Sequence, residues 1–262
     1  MHRRRGVALF LISTIVLAAL LAGCAGISML DSVESLMKEG QELYSAKKYD
    51  EAIGKFEQVL AKDKTQWMAS LYLARCYIGK GSWPAAITNA RQAFQLAPNS
   101  MDVVNALTES LFGGGVDALK QGKFSDAITY LVDYIRLKPT DPKGYLNAAR
   151  AYLGNRNYGE ALNTFLRGLG QGGGGEARQD LLHGLLDGGI SALSGGDARS
   201  AIGFLQEYLK YDATNFQAYL NLGKAYWQSG NLLQSLSSFR RALELNPSSE
   251  EAQRFLQRTL PR

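Results

Sequence analysis

The sequence predicts an all-α chain built as a stack of helical hairpins, and three observations lead there. A small residue recurs at Ala52, Ala86, Ala127, Ala161, Ala201 and Ser235, in steps of 34, 41, 34, 40 and 34 residues. A period near 34 with a small residue in register marks stacked helix pairs rather than one closed globule. No segment alternates apolar and polar side chains over a useful length, so no strand is expected. Prolines punctuate the pattern. Pro98, Pro139 and Pro247 fall just after amphipathic stretches, and Pro84 falls in the first turn of one, where its missing N–H removes no helical bond.

The first 24 residues stand apart. Arg3, Arg4 and Arg5 precede an apolar run from Val7 to Leu21 broken only by Ser13 and Thr14, and Leu21-Ala22-Gly23-Cys24 closes it. A basic start, a short apolar core and a small-residue site are the parts of an export signal. The run of 15 residues is shorter than the roughly 20 of a spanning helix. Its last four residues resemble the bacterial lipobox. That resemblance implies cleavage before Cys24 and acylation of its thiol and new amine. Each buried methylene adds about 0.8 kcal/mol, and two or more acyl chains hold a protein stably on a bilayer. Ala25, in place of aspartate, implies sorting to the outer membrane by the same resemblance. The expected organisation is a lipoprotein signal peptide over 1–23, a lipidated tether over 24–32, repeats over 33–249 and a capping helix over 250–262.

Charge and cysteine usage agree with this division. The whole chain carries a net charge of +5, and three of those charges are the arginines of the signal. The body is near neutral and offers no nucleic-acid surface. Cys24 and Cys76 are the two cysteines. With the first lipidated no intramolecular disulfide forms, and Cys76 on an apolar helical face reads as a small buried hydrophobe.

Six units occupy Val33–Gln66, Trp67–Ser100, Thr108–Asp141, Pro142–Gly175, Leu182–Asn215 and Phe216–Ser249. In each first helix a small residue sits where a neighbour must approach: Gly40, Ala74, Gly115, Ala149, Gly189, Gly223. Second helices open on Tyr49, Trp83, Phe124, Tyr158, Ala198 and Leu232. Larger residues follow at Phe56, Leu131, Phe165, Leu205 and Phe239, with Ala90 in the second unit. Small residues let two helices close up, and large ones from the facing helix fill the space. Together these residues resemble the tetratricopeptide repeat over nearly all of the mature chain. The resemblance implies a right-handed superhelix (an α-solenoid) of six hairpins. Glu250–Leu260 reads as a closing helix, since such arrays need their outer face covered.

A longer period overlies the first. Leu107–Leu169 matches Leu181–Leu243 at an offset of 74, and the first two repeats match the third and fourth at 75. The chain reads as three copies of a double hairpin. Extra residues, Met101–Leu107 and Glu176–Leu181, precede repeats three and five. About seven residues make two helical turns, so the first helices of those repeats are expected to be longer. The run Gly170-Gln171-Gly172-Gly173-Gly174-Gly175 has neither a preceding strand nor a following Lys-Ser/Thr. It reads as a flexible connector, with looseness expected over 168–180.

Chemistry is sparse. The mature chain has one histidine, His183, and one free thiol, Cys76. Neither a zinc ligand set nor a nucleophile with a base at recognisable spacing is present. No enzyme activity, cofactor, metal or small-molecule substrate is expected. What remains is a surface. In the resembled family the first helices line the face where ligands lie. Two positions three apart on those helices read Tyr72/Arg75, Asn147/Arg150 and Asn221/Lys224 in the even repeats. Residues at i and i+3 share a helix face. The pairs read either as a peptide-binding groove for an acidic segment or as a solvated polar face copied by duplication. Apolar residues between them (Phe112, Leu119, Leu186, Ile190, Leu193) offer a rival site for an amphipathic helix.

The functional expectation is a periplasmic scaffold held on the outer membrane by lipid, binding a protein or peptide partner in the cell envelope. Length, six repeats and lipobox look like the pilotin-type lipoproteins that help type IV pilus secretins assemble. They look less closely like the lipoprotein component of the outer-membrane barrel assembly complex. An adaptor for cell-wall enzymes or polysaccharide export is the alternative, for which Trp67, Trp83 and Trp227 are candidate sugar contacts.

Overall fold

A computed structural model describes residues 32–171 and 175–259. The expected signal peptide, Cys24, the tether up to residue 31, the three glycines at 172–174 and residues 260–262 lie outside the described residues. The described residues hold thirteen α-helices and no strand. They are α1 Val33–Ser45, α2 Tyr49–Lys62, α3 Trp67–Gly79, α4 Trp83–Leu96, α5 Met101–Lys120, α6 Phe124–Leu137, α7 Pro142–Gly154, α8 Tyr158–Gly170, α9 Gly175–Ser194, α10 Ala198–Leu209, α11 Phe216–Gln228, α12 Leu232–Leu245 and α13 Glu250–Thr259. None is long and apolar enough to cross a membrane. The chain divides into two compact units, Met1–Val103 and Val104–Arg262.

Each hairpin is closed by the same turn. A residue with left-handed backbone follows the first helix at Lys47, Gly81, Gly122, Arg156, Gly196 and Gly230, with φ of 59°, 68°, 72°, 58°, 84° and 78°. The next residue's N–H donates back to the helix, as in Lys48 to the Leu43 carbonyl, Lys123 to Ala118 and Asn231 to Tyr226, each at 2.9 Å. This is the two-bond C-terminal motif that satisfies carbonyls left open at a helix end. It requires positive φ, which glycine adopts freely and other residues adopt at a cost.

The recurring small residues are the contact points within hairpins. Ala52, Ala86, Ala127, Ala161, Ala201 and Ser235 are all fully buried. Ser235 is accommodated because its hydroxyl donates to the Gly223 carbonyl at 2.9 Å. The glycines of the first helices are notches. A Cβ on Gly40 would stand 2.6 Å from Phe56, one on Gly115 2.5 Å from Leu131, and one on Gly223 2.6 Å from Phe239. A second set of notches serves the contact between successive hairpins. Tyr49 lies over Gly79, Phe124 over Gly154 and Tyr158 over Gly195. At the fifth hairpin both partners are exchanged: the large residue is Ala198, and Gln228 takes the glycine position. Leu232, which opens the last second helix, remains 50% exposed.

In the first unit, Leu36, Phe56, Val59, Leu73 and Cys76 form the core between α1, α2 and α3. In the second, one continuous cluster runs from Ala118 through Phe165, Leu185 and Phe204 to Ala225. Full burial of each such large side chain contributes about 1.5–3 kcal/mol. The inserted residues lengthen the helices as expected: α5 and α9 have 20 residues, against 13 in α1, α3, α7 and α11. The glycine-rich connector is narrower than the expected 168–180. α8 runs to Gly170, α9 starts at Gly175, and Gly168 is buried against Tyr145. The last helix, α13, closes the array by stacking Phe255 on Phe239, with ring centroids 5.3 Å apart, and by burying Ala252.

Candidate partner-docking face on the first helices

The paired positions singled out from the sequence lie on α3, α7 and α11, one pair per double hairpin. Their environments differ. In the first unit Tyr72 belongs largely to the core. Its ring stacks on Phe56 at 5.2 Å and meets Tyr44 edge-on at 5.4 Å. Arg75 lies over the Tyr72 ring at 5.5 Å, and its Nη2 donates to Asp102 Oδ1 at 2.8 Å. This cation already has a carboxylate partner, supplied by the first turn of α5.

In the second unit, Asn221 is buried and donates to the carbonyl of Gln217 on its own helix at 2.9 Å. Lys224 reaches Glu251 on α13 at 2.7 Å and lies 5.6 Å from the centre of the Phe255 ring. Asn147 is likewise turned to its own backbone, donating to the Lys143 carbonyl at 2.9 Å. Arg150 alone of the three cations is exposed and pairs with no carboxylate among the described residues.

The cause is a change at one repeated position. Asp102 and Glu251 each stand 27 residues after the cation they bind; the matching residue after Arg150 is Ala177. Beside it α7 and α9 leave a cleft of about 150 Å³ lined by Pro142, Lys143, Leu146, Glu176, Ala177 and Asp180. The expected set of three equivalent polar-cationic pairs is therefore not what the fold presents. Two pairs are closed internally and one is open. Sequence reasoning missed the two acids, although their constant separation from Arg75 and Lys224 was a readable signal.

The apolar residues offered as a helix-binding strip are largely spent on packing. Phe112 contacts Tyr134 at 5.0 Å, Leu193 is buried, and Leu119 and Leu186 pack against the core. Trp227 is 41% exposed and meets Phe255 edge-on at 6.0 Å. Trp67 and Trp83 are half-buried. His183 is exposed on α9. Cys76 is fully buried, and burial pushes its thiol up to about 11. No group of three metal-ligating side chains exists among the described residues.

The chain resembles several solved structures. It is similar to a structure of Naa15/Naa10 bound to HypK-THB, with 15% identity and a TM-score of 0.57, over 88% of this chain and 34% of that one. The chain thus spans about a third of that protein's length. It also aligns with YrrB, a TPR protein with an unusual peptide-binding site (15% identity, TM-score 0.39, 91% of this chain and 97% of that one). A further alignment is with PilW, a widely conserved type IV pilus biogenesis factor (18% identity, TM-score 0.39, 86% and 98%). Those two likenesses are too distant to transfer a role. No curated protein matches the chain. Family profiles for the tetratricopeptide repeat match residues 43–111, and again 112–176 and 186–250. With matches across well over half its length and six hairpins that share one turn, the chain belongs to the tetratricopeptide-repeat family.

Proposed function

We propose that this protein is a lipid-anchored docking scaffold of the bacterial cell envelope, which holds a partner polypeptide through the first-helix face around Arg150. Tetratricopeptide repeats bind protein or peptide partners. The single observation behind the site is the contrast within the chain. Arg75 and Lys224 are tied to Asp102 and Glu251, while Arg150 is exposed, with Ala177 standing where the acid would be and no carboxylate paired to it among the described residues. A carboxylate from a partner would complete there the ion pair that the chain makes for itself in the other two modules. The face binds and orients; no catalytic step is assigned to it.

The anchor rests on the lipobox-like Leu21-Ala22-Gly23-Cys24. On this reading the protein sits on the periplasmic face of the outer membrane, and assembly of a pilus- or secretin-type machine is the first role to test. The test has two arms in cells. Cys24→Ala should abolish incorporation of labelled palmitate and block cleavage before residue 24, leaving a longer chain that no longer reaches the outer membrane. A photo-crosslinker placed on α7 next to Arg150 should yield a discrete adduct that Arg150→Glu removes and Lys224→Glu leaves. Palmitate incorporation or normal cleavage that survives Cys24→Ala overturns the anchor; an adduct indifferent to Arg150→Glu overturns the site.

A further inference from the structure

The second helices carry a separate pocket. It has a volume of about 360 Å³ and opens between α6 and α8, with α7 beneath it. Its geometry follows from helical spacing. Glu160, Thr164 and Arg167 share one face of α8, and Ile135 and Arg136 line it from α6. Tyr145 and Tyr152, two turns apart on α7, supply aromatic walls.

Two side chains in it are unspent. Thr164 is only 4% exposed, yet its hydroxyl has no hydrogen-bond partner among the described residues. The other threonines within helices all donate to a carbonyl of their own helix: Thr88 to Pro84, Thr108 to Asn105, Thr129 to Ser125 and Thr259 to Phe255. Its oxygen is not sealed in the interior but reaches the pocket wall, where a hydroxyl is free to donate to a bound acceptor or to water. Arg167 lies over the Tyr145 ring at 5.5 Å and pairs with no carboxylate. Arg136, by contrast, is held by Asp133 at 2.9 Å.

The equivalent position in the last module also forms a cavity, of about 610 Å³, but its donors are engaged. At an offset of 74 stand Tyr219, Ser238 and Arg241. There Arg241 lies over Tyr219 at 5.9 Å, but it binds Glu244 at 2.6 Å, and Ser238 donates to the Gln234 carbonyl at 2.8 Å. The first module has Ser70, Asn89 and Gln92 instead. Of these three equivalent positions among the described residues, the one in the fourth repeat leaves both donors open.

We infer that this pocket binds a single carboxylate attached to a small apolar group, with Arg167 and the Thr164 hydroxyl on the carboxylate and the tyrosine walls on the apolar part. One negative charge fits better than two, because Arg136 is already neutralised and Glu160 stands at the same rim. A free acyl-amino acid and the C-terminal residue of a polypeptide carry this same chemistry. The site lies on the other helix face from Arg150 and does not depend on the docking proposal.

The test is calorimetric titration of the full chain in detergent with N-acetyl-leucine, its amide, an acetylated pentapeptide ending in leucine, and inorganic phosphate. N-acetyl-leucine should bind saturably, and the amide should bind at least about tenfold more weakly, since it loses a charged hydrogen bond. Arg167→Gln and Thr164→Val should each weaken N-acetyl-leucine by roughly five- to tenfold or more, while Arg241→Gln and Arg150→Glu leave it unchanged. Arg167 is exposed, so its replacement keeps the fold if Thr164→Val does not. Tighter binding of the pentapeptide identifies a polypeptide end as the ligand; equal binding identifies the small carboxylate. Equal binding of acid and amide, tighter binding of phosphate, or indifference to Arg167→Gln overturns the inference.

Discussion

Gly223→Ala tests the notch argument quantitatively. The added Cβ would stand 2.6 Å from Phe239 Cε1 and 2.7 Å from its Cδ1. The ring has no room to yield, being fully buried and stacked on Phe255. Overpacking of this kind costs about 1–3 kcal/mol. Against it stands the helix preference of alanine over glycine, about 0.8–1 kcal/mol. The net expectation is a loss of about 1 kcal/mol, or a fall of roughly 2–4 °C in Tm for a domain of this size. Gly54→Ala is the internal control, because a Cβ there meets nothing within 4 Å. It keeps the propensity gain and should stabilise by about 0.5–1 kcal/mol. The fourth repeat shows why the position matters more than the residue. It carries Ala149 opposite Phe165, whose ring leans instead toward Gly184; Phe255 denies Phe239 a comparable escape. Urea unfolding followed by both circular dichroism and tryptophan fluorescence is the assay, since repeat arrays do not always unfold in one step. If Gly223→Ala is as stable as Gly54→Ala, the glycines are not notches and the packing logic of every hairpin fails.

Three further outcomes follow from the same structure. Lys47 and Arg156 occupy turn positions with φ near 60° where the other four hairpins have glycine, so Arg156→Gly should stabilise by about 0.5–1 kcal/mol, and Gly122→Ala should destabilise by about as much in the same denaturation assay. Cys76, buried and with its thiol raised to about 11, should react with iodoacetamide at pH 8 on the order of a hundredfold more slowly than a free cysteine and reach the normal rate on unfolding. Asp197 caps α10, accepting from the Ser200 N–H at 2.9 Å and its hydroxyl at 2.7 Å, and these bonds hold its carboxyl below the ordinary value. A depressed carboxyl stabilises the fold above its unfolded value near 4 and loses that contribution as pH falls through the folded one. Asp197→Ala should therefore cost about 1 kcal/mol at pH 7, and the gap to the parent chain should narrow as pH falls through the folded value of Asp197, as read from unfolding midpoints across an acid series.

Much of the candidate site was only half legible in the chain. The positions of Arg75, Arg150 and Lys224 follow from the repeat period, and all three lie on first helices as that period requires. Their states do not follow from it. Lys224 is closed by an acid on α13, which belongs to no complete hairpin, and Arg75 by an acid in the inserted turns of α5. From the sequence the first reads as a closing helix and the second as an extension of a first helix, and neither reading gives its acid a partner. The pocket under Arg167 was not seen at all, because it is made by three helices and its signal is an unmade hydrogen bond. The turn glycines were overlooked for a simpler reason: Gly81, Gly122, Gly196 and Gly230 follow the alanine period, but Lys47 and Arg156 break the series.

The order of residues was enough to establish helices, hairpins, their number and the faces they bury. Those properties are local and periodic, and a stack of repeats copies one local solution many times. The identity of the open cations was decided by tertiary structure alone. A charge is free or neutralised according to what a distant turn brings within a few ångströms, and electrostatic pairing falls off too steeply with distance for a linear pattern to reveal it. The constant step from Arg75 to Asp102 and from Lys224 to Glu251 is written in the chain, but that those acids reach their cations, and that Thr164 has no carbonyl partner, became visible only when the helices stood side by side.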